Sequence, residues 1–332
     1  MMSLSTQSLE NLLSQEPKQA WESVFNELWG QLSKPVEGDV ASEMVRRDKA
    51  IEGLDLVLSS SAWDLWTHFE TCARKTSSAL EQFWADAPGS KAVLILDALS
   101  LRESPWLLQE AAKRGFKIHR SIATGSALPS DTTCFAKELG LPQRSSLSAG
   151  HVATLKLADA ATALFDQPWK ECADTLPNHP NLFVWHEWPD SLMHDLSGPG
   201  PGLRQLAEDA KSVLTGDDFW AFVERLATGR RLVITADHGY AASGQFSDVL
   251  DQEQKEYFQK VFGAERHAAS SDKSASNWLP PVDIPLTTAR GDYRFTLGRR
   301  AWSVQGGRKN LSHGGISLLE VAVPFIEISR SL

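Results

Sequence analysis

A chain of 332 residues, 42% hydrophobic and 23% charged, is long enough to bury a substantial core and has the composition of an ordinary globular protein. Its formal net charge of −9 argues against a surface given over to nucleic acid, and no apolar run approaches the ~18 residues that span a bilayer. Cys72, Cys134 and Cys172 are scattered and odd in number, offering neither a disulfide framework nor a Cys-x-x-Cys metal site, and the N-terminus lacks a signal peptide's basic and apolar regions; both readings fit a reducing cytoplasm.

The first 90 residues read as a helical region, because apolar side chains recur at steps of three and four in ESVFNELWGQL and SAWDLWTHFETCA. Five of the 12 tryptophans (Trp21, Trp29, Trp63, Trp66 and Trp84) lie here, a large apolar area suited to a core or to an interface, and His68 shares their helix face. From Lys91 the pattern changes, and residues 91–332 read as one α/β domain. Residues 92–96 form a continuous apolar strand ending at Asp97, followed by a helix reaching Arg114. Residues 116–119 predict a second strand, 131–139 and 152–164 predict helices, 182–185 a third strand, and 201–227 one long helix. Residues 231–235 are a short β-branched strand, with Asp237, His238 and Gly239 just past its carboxyl end. Alternating strands and helices imply a mostly parallel sheet covered on both faces.

Residues 240–290 break that rhythm with a helix over 251–262, a polar stretch and Leu279-Pro280-Pro281, and read as a lid insertion. Residues 294–297 and 302–304 alternate like an antiparallel pair, and the last strand, 321–328, contains Pro324, which favours an edge position. Between residues 290 and 309 the chain carries Arg290, Arg294, Arg299, Arg300, Arg308 and Lys309 against Asp292 alone. That run is either a solvated hairpin face or an anion-attracting rim for a phosphate-bearing substrate.

Chemistry-bearing residues fall where an open parallel sheet binds ligands, beyond the carboxyl ends of its strands. Asp97 ends one strand, Asp190 and His194 follow another in WPDSLMH, Asp237 and His238 follow a third, and His313 precedes the last in LSHGGISLLE. Asp190 and His194, four apart, share one helix face and can grip one ion. Carboxylates and imidazoles in this number would fill two metal shells. In Ala127-Leu128-Pro129-Ser130-Asp131-Thr132-Thr133, Thr132 stands at a predicted helix start, where a hydroxyl beside a metal could attack phosphorus; Ser130, Asp131 or Thr132 could instead cap the helix. His119, His151, His179 and His267 read as structural or solvated, and His186 as packed beside Trp185 or orienting a ligand.

The ordered set Asp97, Ser130-Asp131-Thr132, Asp190-x-x-x-His194, Asp237-His238-Gly239 and His313-Gly314-Gly315 resembles the alkaline-phosphatase-like superfamily. Within it, ILDALSLRESPWL, ITADHG and HGGISLLEVAVPFIEI look like the PglZ domain, over roughly residues 90–330. The resemblance implies a three-layer α/β/α sandwich and two divalent ions, usually zinc, with manganese the alternative. By position, Asp97, Thr132, Asp237 and His238 would hold one ion, and Asp190, His194 and His313 the other. Thr132 would attack in line to give a phosphothreonine that water then cleaves, with Ser130 and Thr133 the alternative nucleophiles. Cys134-Phe135-Ala136 lacks the Cys-x-Pro-x-Arg segment of sulfatases, which excludes that branch, and a phosphomutase would need a larger cap than 240–290 supplies.

The leading expectation is therefore a two-metal phosphodiesterase or phosphatase acting on a nucleotide or related phosphoester, in bacterial phage defence or signalling. The alternative is a non-catalytic scaffold subunit of a defence complex that docks partners through the Trp-rich N-terminal helices.

Overall fold

The computed structural model describes residues 14–198, 202–242, 247–274, 276–304 and 309–330. The chain begins with helices. In α1 (Pro17–Leu32) the proline occupies the first turn, where its missing N–H costs nothing, and Trp21, Val24, Phe25, Leu28 and Leu32 are buried at helical spacing. Helix α2 (Val40–Ser60) is capped by Asp39, whose carboxylate accepts from the Ser42 N–H at 2.8 Å, and α3 (Thr76–Asp86) leads into the sheet.

That sheet is built from β1 (Ser90–Leu96), β2 (Phe116–Gly125), β3 (Ala161–Phe165), β4 (Leu182–His186), β5 (Arg230–Thr235) and a last strand, Ala322–Arg330. Helices α4 (Ser104–Lys113), α5 (Thr132–Glu138), α6 (Asp190–Asp195), α7 (Leu203–Leu214) and α8 (Asp217–Ala227) connect them. An excursion after β5 holds α9 (Gln252–Phe262), β6 (His267–Ala269), β7 (Asp283–Thr288) and β8 (Gly291–Thr296); α10 (Leu318–Val321) then opens into β9, the Ala322–Arg330 strand.

The main sheet has the order β2-β9-β5-β1-β4-β3, with β9 antiparallel to both neighbours and the β5, β1, β4 and β3 ladders parallel. Both faces are covered. Ala92, Leu94 and Leu96 of β1 pack with Trp106, Trp220 and Phe222 on one side, and Val93 and Ile95 with Phe135, Phe183 and Trp185 on the other. This two-sided burial explains why the central strand is an unbroken apolar run. No helix among the described residues is long and apolar enough to cross a membrane.

Four local expectations give way. Residues 152–164 do not form a helix: the last of them enter β3, because pairing with β4 outweighs the helix propensity of Ala and Leu. The helix expected over 201–227 is two, broken at Gly216, where a Cβ would lie 3.0 Å from the Ser212 carbonyl. β8 pairs not with residues 302–304 but with β6 and β7, while Arg300–Ala301 runs parallel to Ser247–Asp248. Pro324 sits in an internal strand, not at an edge. Its pairing with β2 is continuous, but the β5 ladder begins only at Phe325, so there β9 locally has one neighbour.

The N-terminal helices share a core with the excursion: Trp21, Phe25, Trp66 and Phe69 pack in one cluster with Ile284, Leu286, Phe295 and Leu297. His68, in contrast, is exposed rather than part of that packed face. A buried ionic lattice reinforces the join. Asp48 of α2 binds Arg102 and, at 2.7 Å, Arg299; Asp55 binds Arg299 at 2.6 Å and accepts from the Leu318 N–H at 2.7 Å. Arg102 in turn donates to the Tyr240 carbonyl at 2.8 Å, and the Tyr240 hydroxyl donates to Glu103 at 2.6 Å. Burial pushes the Glu103 carboxyl up to about 7, with Tyr240 and Arg102 only partly opposing it.

Two outcomes follow for stability. Removing one partner of a buried ion pair strands the other, so Asp48→Ala is expected to cost about 3–5 kcal/mol in urea unfolding; a loss below ~0.5 kcal/mol, typical of a surface site, would show the lattice to be dispensable. Glu103 binds its proton more tightly folded than unfolded. Its contribution is therefore fully present below its ordinary value of 4.5 and is lost as pH rises through about 7. Glu103→Gln, which keeps the cap, should flatten the decline in melting temperature across that interval, and an unchanged slope would assign the decline elsewhere.

Candidate functional site

Topology alone gathers the residues singled out above. β5, β1 and β4 are adjacent and parallel, so Asp237, Asp97 and Asp190 emerge side by side past their carboxyl ends. β9 runs the opposite way, so the segment before it, carrying His313, reaches the same edge. Thr132 arrives there from β2 at the start of α5.

Asp97 is fully buried, and each of its oxygens is engaged. Oδ1 accepts from the Thr132 hydroxyl at 3.2 Å and lies 3.6 Å from His238 Nε2; Oδ2 accepts from Trp185 Nε1 at 3.0 Å and from Arg144. The Thr132 hydroxyl is 3.3 Å from His238 Nε2. Of the candidate hydroxyls only this one faces the carboxylates. Asp131 caps α5 by accepting from the Cys134 N–H, Ser130 donates to the Gly315 carbonyl at 2.7 Å, and Thr133 is exposed. The His238 ring donates from Nδ1 to the Gly239 carbonyl at 2.9 Å, which turns Nε2 toward the Asp97 and Asp237 carboxylates, where it could ligate an ion once deprotonated. Asp237 accepts from the Ala98 N–H through Oδ1, and its buried Oδ2 lies 3.4 Å from His238 Nε2.

The second group is more open. His194 Nε2 lies 3.4 Å from Asp190 Oδ2 and 3.4 Å from His313 Nε2, while His313 Nε2 lies 3.8 Å from Asp190 Oδ1 and its ring stacks on His238 at 4.3 Å. Ligand atoms of Asp190, His194 and His313 all fall within 4.8 Å of one another, and so do those of Asp97, Asp190 and His238. Asp190 thus stands in both groups, between the two clusters rather than in one of them. The fit to divalent cations is chemical as well as geometric. Asp190 Oδ1, Asp237 Oδ2 and His313 Nδ1 are buried with no hydrogen-bond partner, and two imidazole nitrogens face each other.

Electrostatics bear the marks of crowding. Burial, then Asp237 and Asp190, hold the Asp97 carboxyl well above its ordinary range, against the pull of His238 and Arg144. Burial depresses His238, but Asp237, Asp97 and Asp190 outweigh it and push the imidazole up to about 9. Burial and the His238 charge push His313 down to about 3, leaving its ring neutral and free to ligate.

The chain is similar in structure to murine ectonucleotide pyrophosphatase/phosphodiesterase 5 and to an inactive form of that protein in complex with AMP. Each match has 13% identity and a TM-score of 0.41, and covers 72% of this chain and 87% of that one. No family model and no curated protein matches.

Three residues outside the sequence-derived set complete the site. Arg144 joins Asp97 to Glu187, which it meets at 2.9 Å. Nothing local marks it, since it opens a short 3-10 helix (Arg144–Ala149) far from Asp97 in sequence. Glu320 is different, because Ser317-x-x-Glu320 is a capping box readable from the sequence. Its buried carboxylate accepts from the Gly315 and Ser317 N–H groups at 3.0 Å each, and from Arg266 Nε at 2.6 Å, fixing the loop that presents His313. Gly315 is obligatory there, as a Cβ would lie 2.7 Å from both Arg266 Nε and Glu320 Oε1; at Gly239 it would lie 2.3 Å from the Leu319 carbonyl. His186 is packed, not aimed at the cluster: it stacks on Trp169 at 3.9 Å, with Nε2 3.1 Å from the Gln167 carbonyl.

Elemental analysis should find about two equivalents of zinc or manganese per chain, falling to about one in His313→Ala and to about one in Asp237→Ala. Undiminished metal in both variants would remove these residues from the ligand set.

Proposed function

We propose that this protein is a metal-dependent phosphoester hydrolase of three-layer, alkaline-phosphatase-like architecture, with Thr132 as nucleophile and a phosphodiester or phosphomonoester of nucleotide type as substrate. The supporting observation is the convergence of the Thr132 hydroxyl on Asp97 and His238, at 3.2 and 3.3 Å, beside the Asp190–His194–His313 group.

Asp97, Asp237, His238 and Thr132 would hold one divalent ion and Asp190, His194 and His313 the other, with Asp190 close enough to serve both. Imidazole and carboxylate donors suit zinc, with manganese the alternative. Bound there, two such ions neutralise phosphoryl charge and make a hydroxyl or water easier to deprotonate. The remaining work falls to the chain. Asp97 accepts the Thr132 hydroxyl hydrogen bond and so points Oγ1 into the cluster. Arg144, anchored on Asp97 and Glu187, brings a guanidinium to the same corner, where it can steady phosphoryl oxygens. Water then hydrolyses the phosphothreonine and restores the hydroxyl.

The PglZ resemblance supports a role in bacterial phage defence or signalling. A scaffold role through the N-terminal helices finds less support, because Trp21 and Trp66 are buried in the shared core, leaving Trp29, Trp63 and Trp84 partly exposed.

Hydrolysis of bis-p-nitrophenyl phosphate tests the reading. Thr132→Ala should lower kcat by about 10³-fold or more with its metal content intact, and Thr132→Ser should keep measurable activity. Wild-type turnover in Thr132→Ala would rule out the nucleophile.

A further inference from the structure

The basic run of residues 290–309 divides in the folded chain. Arg294 is buried against Asp283 at 2.7 Å and Arg299 against Asp48 and Asp55, so both belong to the architecture, while Arg308 lies outside the described residues. Arg300 and Lys309 instead line a cavity of about 40 Å³ together with Arg266, Trp302 and Ser312. One water needs ~10–15 Å³ of such space, so this cavity admits a larger group.

Its cations are not equivalent. Arg266 is committed, with Nε on Glu320 and its terminal nitrogens on the Arg300 carbonyl at 3.3 Å and the Gly298 carbonyl at 2.9 Å. Arg300 donates through Nε to the Leu297 carbonyl at 3.1 Å, and its terminal nitrogens meet no acceptor among the described residues. Lys309 Nζ approaches Glu265 only to 3.6 Å, and both side chains are partly exposed. Two cationic heads are therefore available to an anion.

The chain connects this cavity to the candidate site. Ser312 precedes His313 and pairs with Ala241, three residues past His238. The Asn310 N–H donates to the Ser197 carbonyl at 2.6 Å, just beyond the helix that carries His194. Lys309 thus sits at the start of the segment that is fastened to the helix carrying His194 and leads to His313. In an in-line displacement by Thr132 the leaving oxygen departs on the side opposite the nucleophile. With Thr132 held at Asp97 and His238, the neighbouring group is Asp190, His194 and His313, and Lys309 stands close enough to His194 and His313 to oppose their protonation.

We propose that Arg300 and Lys309 form a subsite for a second phosphate carried by the leaving group, which directs the enzyme to phosphoanhydrides and to esters whose departing half is itself phosphorylated. This rests on the Thr132 hydrolase reading. The Thr132 Oγ1–P bond forms as the P–O bond to the leaving group breaks. The electron pair stays on the leaving oxygen, the threonine proton passes to solvent, and water later cleaves the phosphothreonine to release phosphate, or a phosphomonoester where the phosphorus carries a second substituent.

The test compares ATP, whose leaving group is ADP, with bis-p-nitrophenyl phosphate, whose leaving group carries no phosphate. In the full chain, the double variant Arg300→Gln/Lys309→Gln should lower kcat/KM for ATP by at least ~10-fold, mainly through KM, and change it less than ~2-fold for the nitrophenyl ester, as expected for lost charge-assisted hydrogen bonds. Equal losses on both substrates, or none, overturn the subsite. A second readout does not depend on turnover. Inorganic phosphate titrated into chelator-treated wild-type protein should change the fluorescence of Trp302, with Trp302→Phe as the control, and the double variant should lose that response. If the wild type hydrolyses neither substrate, the Thr132 reading fails and the titration decides alone: binding lost in the double variant supports the anion subsite, and absence of binding in the wild type overturns it.

Discussion

Three carboxylates at the ends of adjacent strands are the constraint around which this protein is organised. Asp97, Asp190 and Asp237 each follow one of the adjacent parallel strands β1, β4 and β5, so the pairing of those strands brings all three to one edge. Two like charges ~5 Å apart repel by about 3 kcal/mol at an effective dielectric of ~20, and more where water is excluded. The chain answers with the His238 imidazole and the Arg144 guanidinium, and still leaves Asp190 Oδ1 and Asp237 Oδ2 without a hydrogen bond. A fold that keeps so unfavourable a cluster is suited to a strongly charged cation, and the raised affinity of His238 for its proton measures the same demand from within the chain.

Such a cluster works only if its neighbours cannot relax. Glu320 and Ser130 hold the His313 loop from opposite sides, the first through the Gly315 and Ser317 N–H groups and the second by donating to the Gly315 carbonyl while accepting from the Gly314 N–H at 2.9 Å. The loop bearing Thr132 and the loop bearing His313 are therefore one unit. Behind them, Asp55 caps the start of α10 while Asp48 grips Arg102, so the N-terminal helices brace the floor of the site. Burial of that ionic lattice makes it a device for fixing geometry more than a source of net stability.

Much of this was legible because both periodicity and strand-end position are local. The apolar run at residues 92–96 announced a strand buried on both faces, and Asp97, Asp190, Asp237, His238 and His313 stood out because each sits at a strand or helix boundary. What was hidden is non-local. Arg144 reaches Asp97 from the start of a short 3-10 helix 47 residues on, and Asp190 stands between the two ligand groups only because β4 neighbours β1. The strand at residues 161–165 looked helical because Ala and Leu carry helix propensity, and only the β4 edge overrides it. Pro324 misled for a similar reason, since an internal strand can be locally unpaired where its neighbour has ended.

The same non-locality bears on whether the molecule is an enzyme or a scaffold. Helices kept for docking need an apolar face turned outward, yet Trp21, Phe25, Trp66 and Phe69 are spent on contacts with one another and with the β7–β8 hairpin. Meanwhile Thr132, which is not needed to cap α5 because Asp131 does so, keeps its hydroxyl on Asp97 and His238. A scaffold gains nothing from holding a free hydroxyl against a repelling carboxylate cluster, whereas a phosphoryl-transfer site requires that juxtaposition. The arrangement of strain and spare hydrogen-bonding capacity therefore favours catalysis, and it concentrates both at one edge of the sheet.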